Sequence, residues 1–414
     1  MPDTILDAHS SDPVAMGWMQ GFPPPDAKRI TWERADHMRF PTHRYAFSHM
    51  REFLPTVRVS RGYGPVWELP EVLREDIDGI RFNALDDGRE LSWEESLAVN
   101  FTDAVLVLHK GVIVYERYLG VTRRDTPHIA FSVTKSFVGT IIEMLIAEGR
   151  LDPSAPIGDL IPELARSGFA DASLRQVMDM TTALDFSEEY TDPNSGIGAM
   201  SNALGLTPRA PGYSGADDVY AYLPTIGKNG EHGQRFTYRT CNTEVLGWLV
   251  ARTERKRLDA ILSERIWAPL GMEQDADFLI DSSGMPFAGG GLNPVLRDMA
   301  RFGEAMRCDG HGNGGQIIAR PAVASIKAGG SKDAFAPAGY EWIPGGSYNR
   351  QWWAMGGNHG AFSARGIHGQ AIWIDPVAEV TIARFGSHPI AANGAFDPTS
   401  LPAYRALAEH LMKG

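Results

Sequence analysis

The sequence is short of the features that mark secreted and membrane-bound proteins. Its 414 residues include two cysteines, Cys241 and Cys308, which are too few for a disulfide framework or a cysteine-rich zinc site. We interpret them as free thiols in a reducing compartment. No stretch reaches the roughly 18 apolar residues of a membrane span, and no basic segment followed by an apolar one opens the chain. We therefore expect a soluble, cytoplasmic protein without a membrane partner.

Basic charge and metal-binding patterns are also scarce. Lys and Arg number 39 against 51 Asp and Glu, and no basic run occurs, which argues against a nucleic-acid partner. The twelve histidines form no His-Glu-x-x-His pattern and no tight cluster, so we expect no metal site. The glycine-rich stretches "DGHGNGG" and "AGGGLNP" lack the lysine of a phosphate-binding loop and are interpreted as turns. The sequence therefore predicts no cofactor.

The hydrophobic pattern indicates strands at both chain ends and helices between them. Residues 103–120 predict a hairpin, and a second one flanks Pro376. Helices are predicted from Ser132 to Glu148, from Asn293 as N-cap, and at the C-terminus. This order favours an α+β fold, with an antiparallel sheet flanked by helices and an inserted all-helical domain.

We predict the following domain bounds. A sheet domain comprises residues 1–155 and 290–414, and its residues 1–60 form an irregular wrapping segment. A mainly helical domain, residues 156–289, is inserted between its two parts.

Ser132 and Lys135 carry the first candidate chemistry. They stand three residues apart at the start of an apolar helix, so the lysine can reach the serine hydroxyl. Apolar surroundings disfavour an ammonium, which makes such a lysine a usable base for a serine nucleophile. The helix N-terminus adds free amides for an oxyanion. The alternative is coincidence, since about one Ser-x-x-Lys is expected by chance in a chain of this length.

Tyr238 is a candidate partner for this pair. It lies on a short extended segment just before a helix, and a phenol there could relay a proton to a leaving group. The alternative is an ordinary buried tyrosine.

Several stretches, in one order, carry a family resemblance: "FSVTKSF", "SLRQVMDMTTALDF", "FTYRTCNTEVLGW", "ERIWAPLGM", "AGGGLNPVLRDMARFG" and "GIHGQAIWIDP". Together they resemble the serine β-lactamase/penicillin-binding-protein superfamily, in its class C and esterase-like branch. "LDFSEEYTDP" and "GSYNRQWW" are most similar to the 6-aminohexanoate-dimer hydrolases. The resemblance implies a β-lactamase/transpeptidase-like fold and hydrolysis of short nylon oligomers or carboxylic esters.

The resemblance also implies catalytic roles. Ser132 matches the acylated nucleophile, Lys135 the adjacent base, and Tyr238 the tyrosine that protonates the leaving group. The backbone amides of Ser132 and Ile367 match the oxyanion hole. The order of proton transfer between Lys135 and Tyr238 is left open.

Four further residues are candidates for binding substrate. Tyr190 and Trp353 match aromatic residues that line the pocket. His368, beside Ile367, either touches substrate or makes a structural hydrogen bond. Asp192 either holds a substrate ammonium or is a turn residue before Pro193.

The sequence departs from the family pattern in two places. Thr240 stands where an asparagine often follows the tyrosine, and Asn242 lies two residues further on. Residues 364–366 read Ala-Arg-Gly in place of Lys-Thr-Gly or His-Thr-Gly, which argues against β-lactamase or cell-wall peptidase activity. Asp192 is the one acid in residues 191–208, which favours a neutral substrate over one with an ammonium end.

The resulting hypothesis is a serine hydrolase that cleaves small esters or linear amides through a Ser132 acyl-enzyme. Two alternatives stay open. One is a slowly deacylating β-lactam-binding sensor, and the other is an acyltransferase with an alcohol or amine acceptor. The expected partner is a small-molecule ester or amide, and the sequence leaves open whether the protein is a homodimer.

Overall fold

A computed structural model describes residues 5–413. The strands are β1 Thr56–Val59, β2 Arg81–Asn83, β3 Glu90–Ser92, β4 Thr102–His109, β5 Val112–Tyr118, β6 Ala276–Leu279, β7 Leu292–Asn293, β8 His311–Gly312, β9 Gly315–Gln316, β10 Ser347–Asn349, β11 Trp352–Ala354, β12 Phe362–Gly366, β13 Gln370–Asp375 and β14 Val380–Gly386. The α-helices are α1 His43–Ala46, α2 Trp93–Val99, α3 Val133–Ala147, α4 Ile157–Leu160, α5 Leu174–Met178, α6 Gly196–Leu204, α7 Val219–Tyr222, α8 Thr240–Glu254, α9 Leu258–Leu262, α10 Leu296–Arg307, α11 Arg320–Lys327, α12 Lys332–Phe335 and α13 Asp397–Leu411.

The main sheet has seven strands in the order β10-β11-β12-β13-β14-β4-β5, and every neighbouring pair is antiparallel. Both predicted hairpins are confirmed. The first turns at Lys110 and Gly111, which both have positive φ, and the second joins β13 to β14 around Pro376. Strands from the two ends of the sequence meet where β14 pairs with β4.

Helices cover both faces of this sheet. Side chains of a strand alternate between its faces, and in β4 the apolar side chains on each face pack against helices. Leu106 and Leu108 of β4 pack in one hydrophobic cluster with α3 and α10. Val105 and Val107 pack in a second cluster with α2 and α13. The predicted antiparallel sheet flanked by helices is therefore confirmed.

The segment 156–289 contains α4 to α9, but it also contains the strand β6 and is not all helical. β6 pairs with β1 on one side and β7 on the other. This small sheet joins three segments that the predicted domain division assigns to different parts of the chain. One hydrophobic cluster also includes both Leu106 of β4 and Leu246 of α8. The division into two domains stays a prediction.

The prediction that Asn293 caps a helix is wrong. The N-cap of α10 is Val295, because Asn293 belongs to β7, where it pairs with Asp277. The neighbouring carbonyls of Leu292 and Pro294 accept hydrogen bonds from Ala130 and His128. The extended segment therefore binds the residues that lead into α3, and the helix begins only after it.

The N-terminal segment is largely irregular in its described part, residues 5–60, which holds only short helical turns, α1 and β1. Residues 1–4 lie outside the described residues. Within residues 5–413, no helix combines the length and apolar character needed to cross a bilayer.

Candidate active site

The helix α3 begins directly after Ser132 and runs through the protein interior, with nearly every side chain buried. Lys135 is 1% exposed and Ser132 is 8% exposed. The Lys135 Nζ atom donates to Ser132 Oγ over 2.9 Å and to the carbonyl oxygen of Gly289 over 2.5 Å. The helical spacing therefore brings the predicted pair into direct contact.

The electrostatics of Lys135 suit a base. Burial lowers its pKa from the ordinary value to about 8, although the nearby charges of Glu188 and Glu244 oppose the shift. With that pKa, about a tenth of the side chain is unprotonated at pH 7. A lysine on the protein surface would offer far less free amine to accept the Ser132 proton.

Tyr238 comes to the same place from the residues before α8. Its ring lies 5.2 Å from Lys135 Nζ, measured at the ring centroid, and it stacks on Trp353 at a centroid distance of 5.7 Å. Burial raises the pKa of Tyr238 well above its ordinary value, and its interaction with Ser132 opposes the rise. The phenol therefore carries its proton at neutral pH and is a donor rather than a base.

Ser132 and Ile367 both line one pocket. The amide of Ser132 stands at the N-terminus of α3, where backbone N–H groups have no intrahelical acceptor. Ile367 follows the last residue of β12 and opens a short helical turn, Ile367–Gly369. Phe131, before Ser132, and His368, after Ile367, both have left-handed backbone, with φ of 43° and 59°. Strained residues of this kind concentrate at functional sites.

The pocket has a volume of about 720 Å³. Its walls include both predicted aromatic residues, Tyr190 and Trp353. Four carboxylate residues and two arginines line it: Glu188, Glu189, Glu341, Asp397, Arg235 and Arg365. Aromatic surface suits an apolar part of a substrate, while the excess of carboxylates favours a positive charge over a negative one.

Glu188 was not predicted, although it organises one wall of the pocket. Its carboxylate accepts hydrogen bonds from the Tyr190 hydroxyl, from the Thr240 hydroxyl and, over 2.9 Å, from the Thr240 amide. It lies outside residues 191–208, the stretch in which we expected a partner for an ammonium group. The expectation of a neutral substrate rested on that stretch alone and did not take Glu188 into account.

Thr240, which stands where the family pattern often has an asparagine, and Asn242 make different contacts. The Thr240 hydroxyl donates to Glu188 in the pocket wall. Asn242 is fully buried, and its Oδ1 accepts from the Thr182 hydroxyl over 3.0 Å. Thr240 therefore contacts the pocket wall through Glu188, whereas Asn242 contacts Thr182 in the interior.

Arg365 lies near the end of β12 and stands where the family pattern has threonine, whereas Ala364 stands where it has lysine or histidine. Its side chain lines the pocket, forms an ion pair with Asp397 and lies over Trp353, 5.4 Å from the ring centroid. A cation is therefore present in this wall, but it already has a carboxylate partner.

His368 and Asp192 do not line the pocket, so the predicted substrate contacts are corrected. The His368 ring is buried, and its Nδ1 donates to the carbonyl oxygen of His388 over 2.6 Å. Asp192 is exposed and accepts from the Asn194 amide over 2.9 Å, as a turn residue does. The positions of these residues therefore fit the alternative roles, a structural hydrogen bond for His368 and a turn for Asp192.

The interpretation of "AGGGLNP" as a simple turn overlooked Gly289. Its carbonyl is the second acceptor for Lys135, and the contact joins residues 154 positions apart. In the sequence, the run of three glycines is the local signal for this contact, because glycine allows the backbone to approach another group closely.

Comparison with known proteins agrees with this geometry. A family model described as "Beta-lactamase" matches residues 98–394. A 6-aminohexanoate-dimer hydrolase from Paenarthrobacter ureafaciens is 37% identical over 360 residues, covering 87% of this chain and 88% of the relative. A solved structure from Bacillus anthracis, whose name assigns it provisionally to the 6-aminohexanoate-dimer hydrolases, has a TM-score of 0.84 at 30% identity, covering 94% of this chain and 99% of the other.

More distant structures share the fold. EstCE1, named as a hydrolase with promiscuous acyltransferase activity, has a TM-score of 0.58 at 14% identity, covering 76% of this chain and 98% of its own. The family match spans both the Ser-x-x-Lys helix and the strand before Ile367. The chain therefore belongs to the beta-lactamase family and is a hydrolase similar to the 6-aminohexanoate-dimer hydrolases.

Proposed function

We propose that this protein is a serine hydrolase that cleaves small carboxylic esters or linear amides through an acyl-enzyme on Ser132. The single observation that carries the proposal is the 2.9 Å contact between Lys135 Nζ and Ser132 Oγ beside the pocket. The lysine is buried and its pKa is lowered to about 8. A nucleophile and a base in contact are the minimum needed for acyl transfer.

In the first step, Ser132 Oγ attacks the carbonyl carbon of the substrate as its proton moves to Lys135. Lys135 can accept this proton because burial lowers its pKa and leaves part of it unprotonated. Burial raises the pKa of Tyr238, which therefore keeps its own proton. The carbonyl oxygen becomes an oxyanion, which the amides of Ser132 and Ile367 stabilise. These donors act at the place where charge develops.

In the second step, the bond to the leaving group breaks and that group takes a proton from the Tyr238 hydroxyl. Lys135 returns the proton of Ser132 to Tyr238, so both side chains regain their starting states. Water then attacks the acyl-enzyme, releases the carboxylic acid and restores Ser132. The phenol of Tyr238 suits this role because it is protonated and lines the pocket together with Ser132.

The pocket supports a linear substrate with an ammonium end as well as a neutral ester. Its wall has four carboxylate residues against two arginines, and Glu188 lies nearest the catalytic groups, since its charge acts on both Lys135 and Tyr238. The 37% identical relative is named for hydrolysis of the 6-aminohexanoate dimer, a linear amide with one ammonium. We therefore include this dimer among the proposed substrates.

The test of mechanism is sustained hydrolysis of p-nitrophenyl butyrate by the wild type and its loss in Ser132→Ala. Ser136→Ala is a matched control, since Ser136 is a buried serine on the same helix whose hydroxyl bonds Gln351. We expect activity in the control and none in Ser132→Ala. Equal rates in wild type and Ser132→Ala would overturn the proposal. Release of one equivalent of p-nitrophenol by the wild type, with no further turnover, would indicate a sensor instead.

The test of substrate class compares the linear 6-aminohexanoate dimer with its N-acetylated form, which lacks the positive charge. Glu188→Gln should raise KM for the charged dimer about tenfold more than for the acetylated one, equivalent to about 1.4 kcal/mol. Equal effects on both amides would contradict a role for Glu188 in binding the ammonium group. Failure of the wild type to cleave either amide would restrict the proposal to esters.

A further inference from the structure

Glu244 is a buried carboxylate next to the catalytic groups that the proposed mechanism does not use. It lies on α8, six residues after Tyr238, and is 2% exposed. Its Oε1 accepts from the Gly289 amide over 2.5 Å, and its Oε2 accepts from the Ala288 amide over 3.3 Å. Burying a carboxylate is costly unless it is hydrogen-bonded, so this arrangement calls for an explanation.

The backbone that Glu244 binds is the backbone that holds Lys135. Gly289 donates its amide to Glu244 and accepts from Lys135 Nζ with its carbonyl. The contacts therefore form a continuous chain from Glu244 through Gly289 and Lys135 to Ser132 Oγ. Each link in this chain is between 2.5 and 2.9 Å.

Tight packing leaves this segment little freedom to move. A Cβ atom at Gly289 would lie 2.4 Å from Thr240 Cγ2 and 2.8 Å from Glu244 Oε1. A Cβ atom on Gly247 of α8 would lie 2.5 Å from the Cβ of Ala288. The lack of side chains at Gly247 and Gly289 therefore lets the Ala288–Gly289 backbone approach α8 closely enough for Glu244 to accept hydrogen bonds from two successive amides.

The ionisable groups that act on Glu244 are Lys135, which favours the carboxylate, and Asp281, which disfavours it. Burial outweighs the hydrogen bonds of the two amides and the charge of Lys135, and it raises the pKa of Glu244 to about 8. Much of Glu244 is therefore uncharged at neutral pH, and its action on Lys135 there runs through Gly289.

We propose that Glu244 is a positioning residue: it fixes the Gly289 carbonyl that holds Lys135 against Ser132. The inference rests on the proposed function, in which Lys135 is the base. Glu244 touches neither substrate nor the reacting atoms, so it acts only through its neighbours.

Two substitutions test this role. Glu244→Gln keeps the length of the side chain and one acceptor oxygen, but replaces the other oxygen with a nitrogen that cannot accept from a backbone amide. Glu244→Ala removes both acceptors. Glu304→Gln is a matched control, because Glu304 is an equally buried glutamate on α10 that bonds Arg307 and Thr381.

The measurements are kcat and KM for p-nitrophenyl butyrate across pH, with thermal unfolding of each variant. We expect Glu244→Gln to lower kcat about tenfold with KM changed less than about twofold. The amide nitrogen of glutamine leaves one of the two backbone amides without an acceptor, so the Gly289 carbonyl is held less firmly against Lys135. Glu244→Ala should lose about a hundredfold in kcat at every pH, and Glu304→Gln should match the wild type.

A folded Glu244→Gln with wild-type kcat and KM would overturn the inference. If Glu244→Ala fails to fold, Glu244→Gln still decides the question, because it preserves volume and one hydrogen bond. Loss of activity in Ser132→Ala together with an unaffected Glu244→Gln would leave the proposed function standing and reject only the role of Glu244. Full activity in Ser132→Ala would reject both.

Discussion

The rings of Phe131 and His368 pack against each other with their centroids 5.6 Å apart, and Phe47 contacts both rings. Phe131 precedes Ser132 and His368 follows Ile367, so the contact joins the two places that supply the proposed oxyanion amides. Both residues have left-handed backbone, which costs a non-glycine residue about 1 kcal/mol or more. Aromatic packing therefore fixes two strained positions relative to each other.

This relationship predicts how substitutions of His368 affect catalysis. Valine is strongly disfavoured at φ of 59°, because its branched side chain crowds a left-handed backbone. His368→Val should lower kcat by about a hundredfold with little change in KM, as expected when one oxyanion donor is misplaced. His368→Asn should lose less, because asparagine tolerates this conformation.

Arg255→Val provides the control for this prediction. Arg255 also has left-handed backbone, with φ of 55°, but it lies at the C-terminal end of α8, remote from Ser132. It should lose stability without loss of kcat. Equal loss of kcat in Arg255→Val and His368→Val would show that general destabilisation is the cause.

The buried state of Lys135 predicts a pH dependence of activity. Only the unprotonated amine can accept the Ser132 proton, and its pKa is lowered to about 8. The value of kcat/KM should therefore fall about tenfold per pH unit below pH 8. Initial rates with p-nitrophenyl butyrate, corrected for spontaneous hydrolysis, measure this limb, and Lys135→Met should be inactive at every pH.

The same lowered pKa predicts a pH dependence of stability. The unfolded chain has an ordinary lysine, so above pH 8 it binds a proton that the folded protein has released. Stability should therefore rise with pH between 8 and 10 by up to about 1.4 kcal/mol per unit from this group. The difference between wild type and Lys135→Met in urea unfolding isolates this contribution, and a constant difference over that range would contradict it.

The role of Tyr238 predicts a dependence on the leaving group. Tyr238→Phe keeps the ring that stacks on Trp353 but removes the hydroxyl. It should lower kcat for alkyl amides by about a thousandfold, but far less for p-nitrophenyl esters, whose leaving group departs as an anion. Tyr348→Phe is the matched control, since Tyr348 is a buried tyrosine whose ring lies 6.0 Å from that of Tyr238. Equal losses for amide and ester would contradict proton donation by Tyr238.

Features encoded by neighbouring residues could be predicted from the sequence. The β4–β5 hairpin follows from alternating apolar residues around Lys110-Gly111, and α3 follows from an apolar run that ends at a glycine. The contact between Ser132 and Lys135 follows from helical spacing alone. In each case the deciding interaction spans only a few residues.

Contacts between distant parts of the chain could not be predicted in this way. Glu188 meets Thr240 across 52 positions, and Gly289 meets Lys135 across 154. The error at Asn293 has the same origin, since a local capping signal was overridden by pairing of β7 with β6. The choice between the two roles of His368 could not be made from the sequence either, because its position beside Ile367 does not reveal that its ring turns away into the core.

The pairing of β4 with β14 has a consequence for synthesis of the protein. His109 pairs with Val380, about 270 residues later in the chain. The β4–β5 hairpin leaves the ribosome early, but its neighbour in the sheet is among the last segments to be made. Such long-range closure slows folding and leaves a strand edge open to wrong partners. The nascent chain therefore carries Ser132, the proposed nucleophile, well before the sheet beneath α3 is complete. A chain truncated before Val380 should not assemble the proposed site.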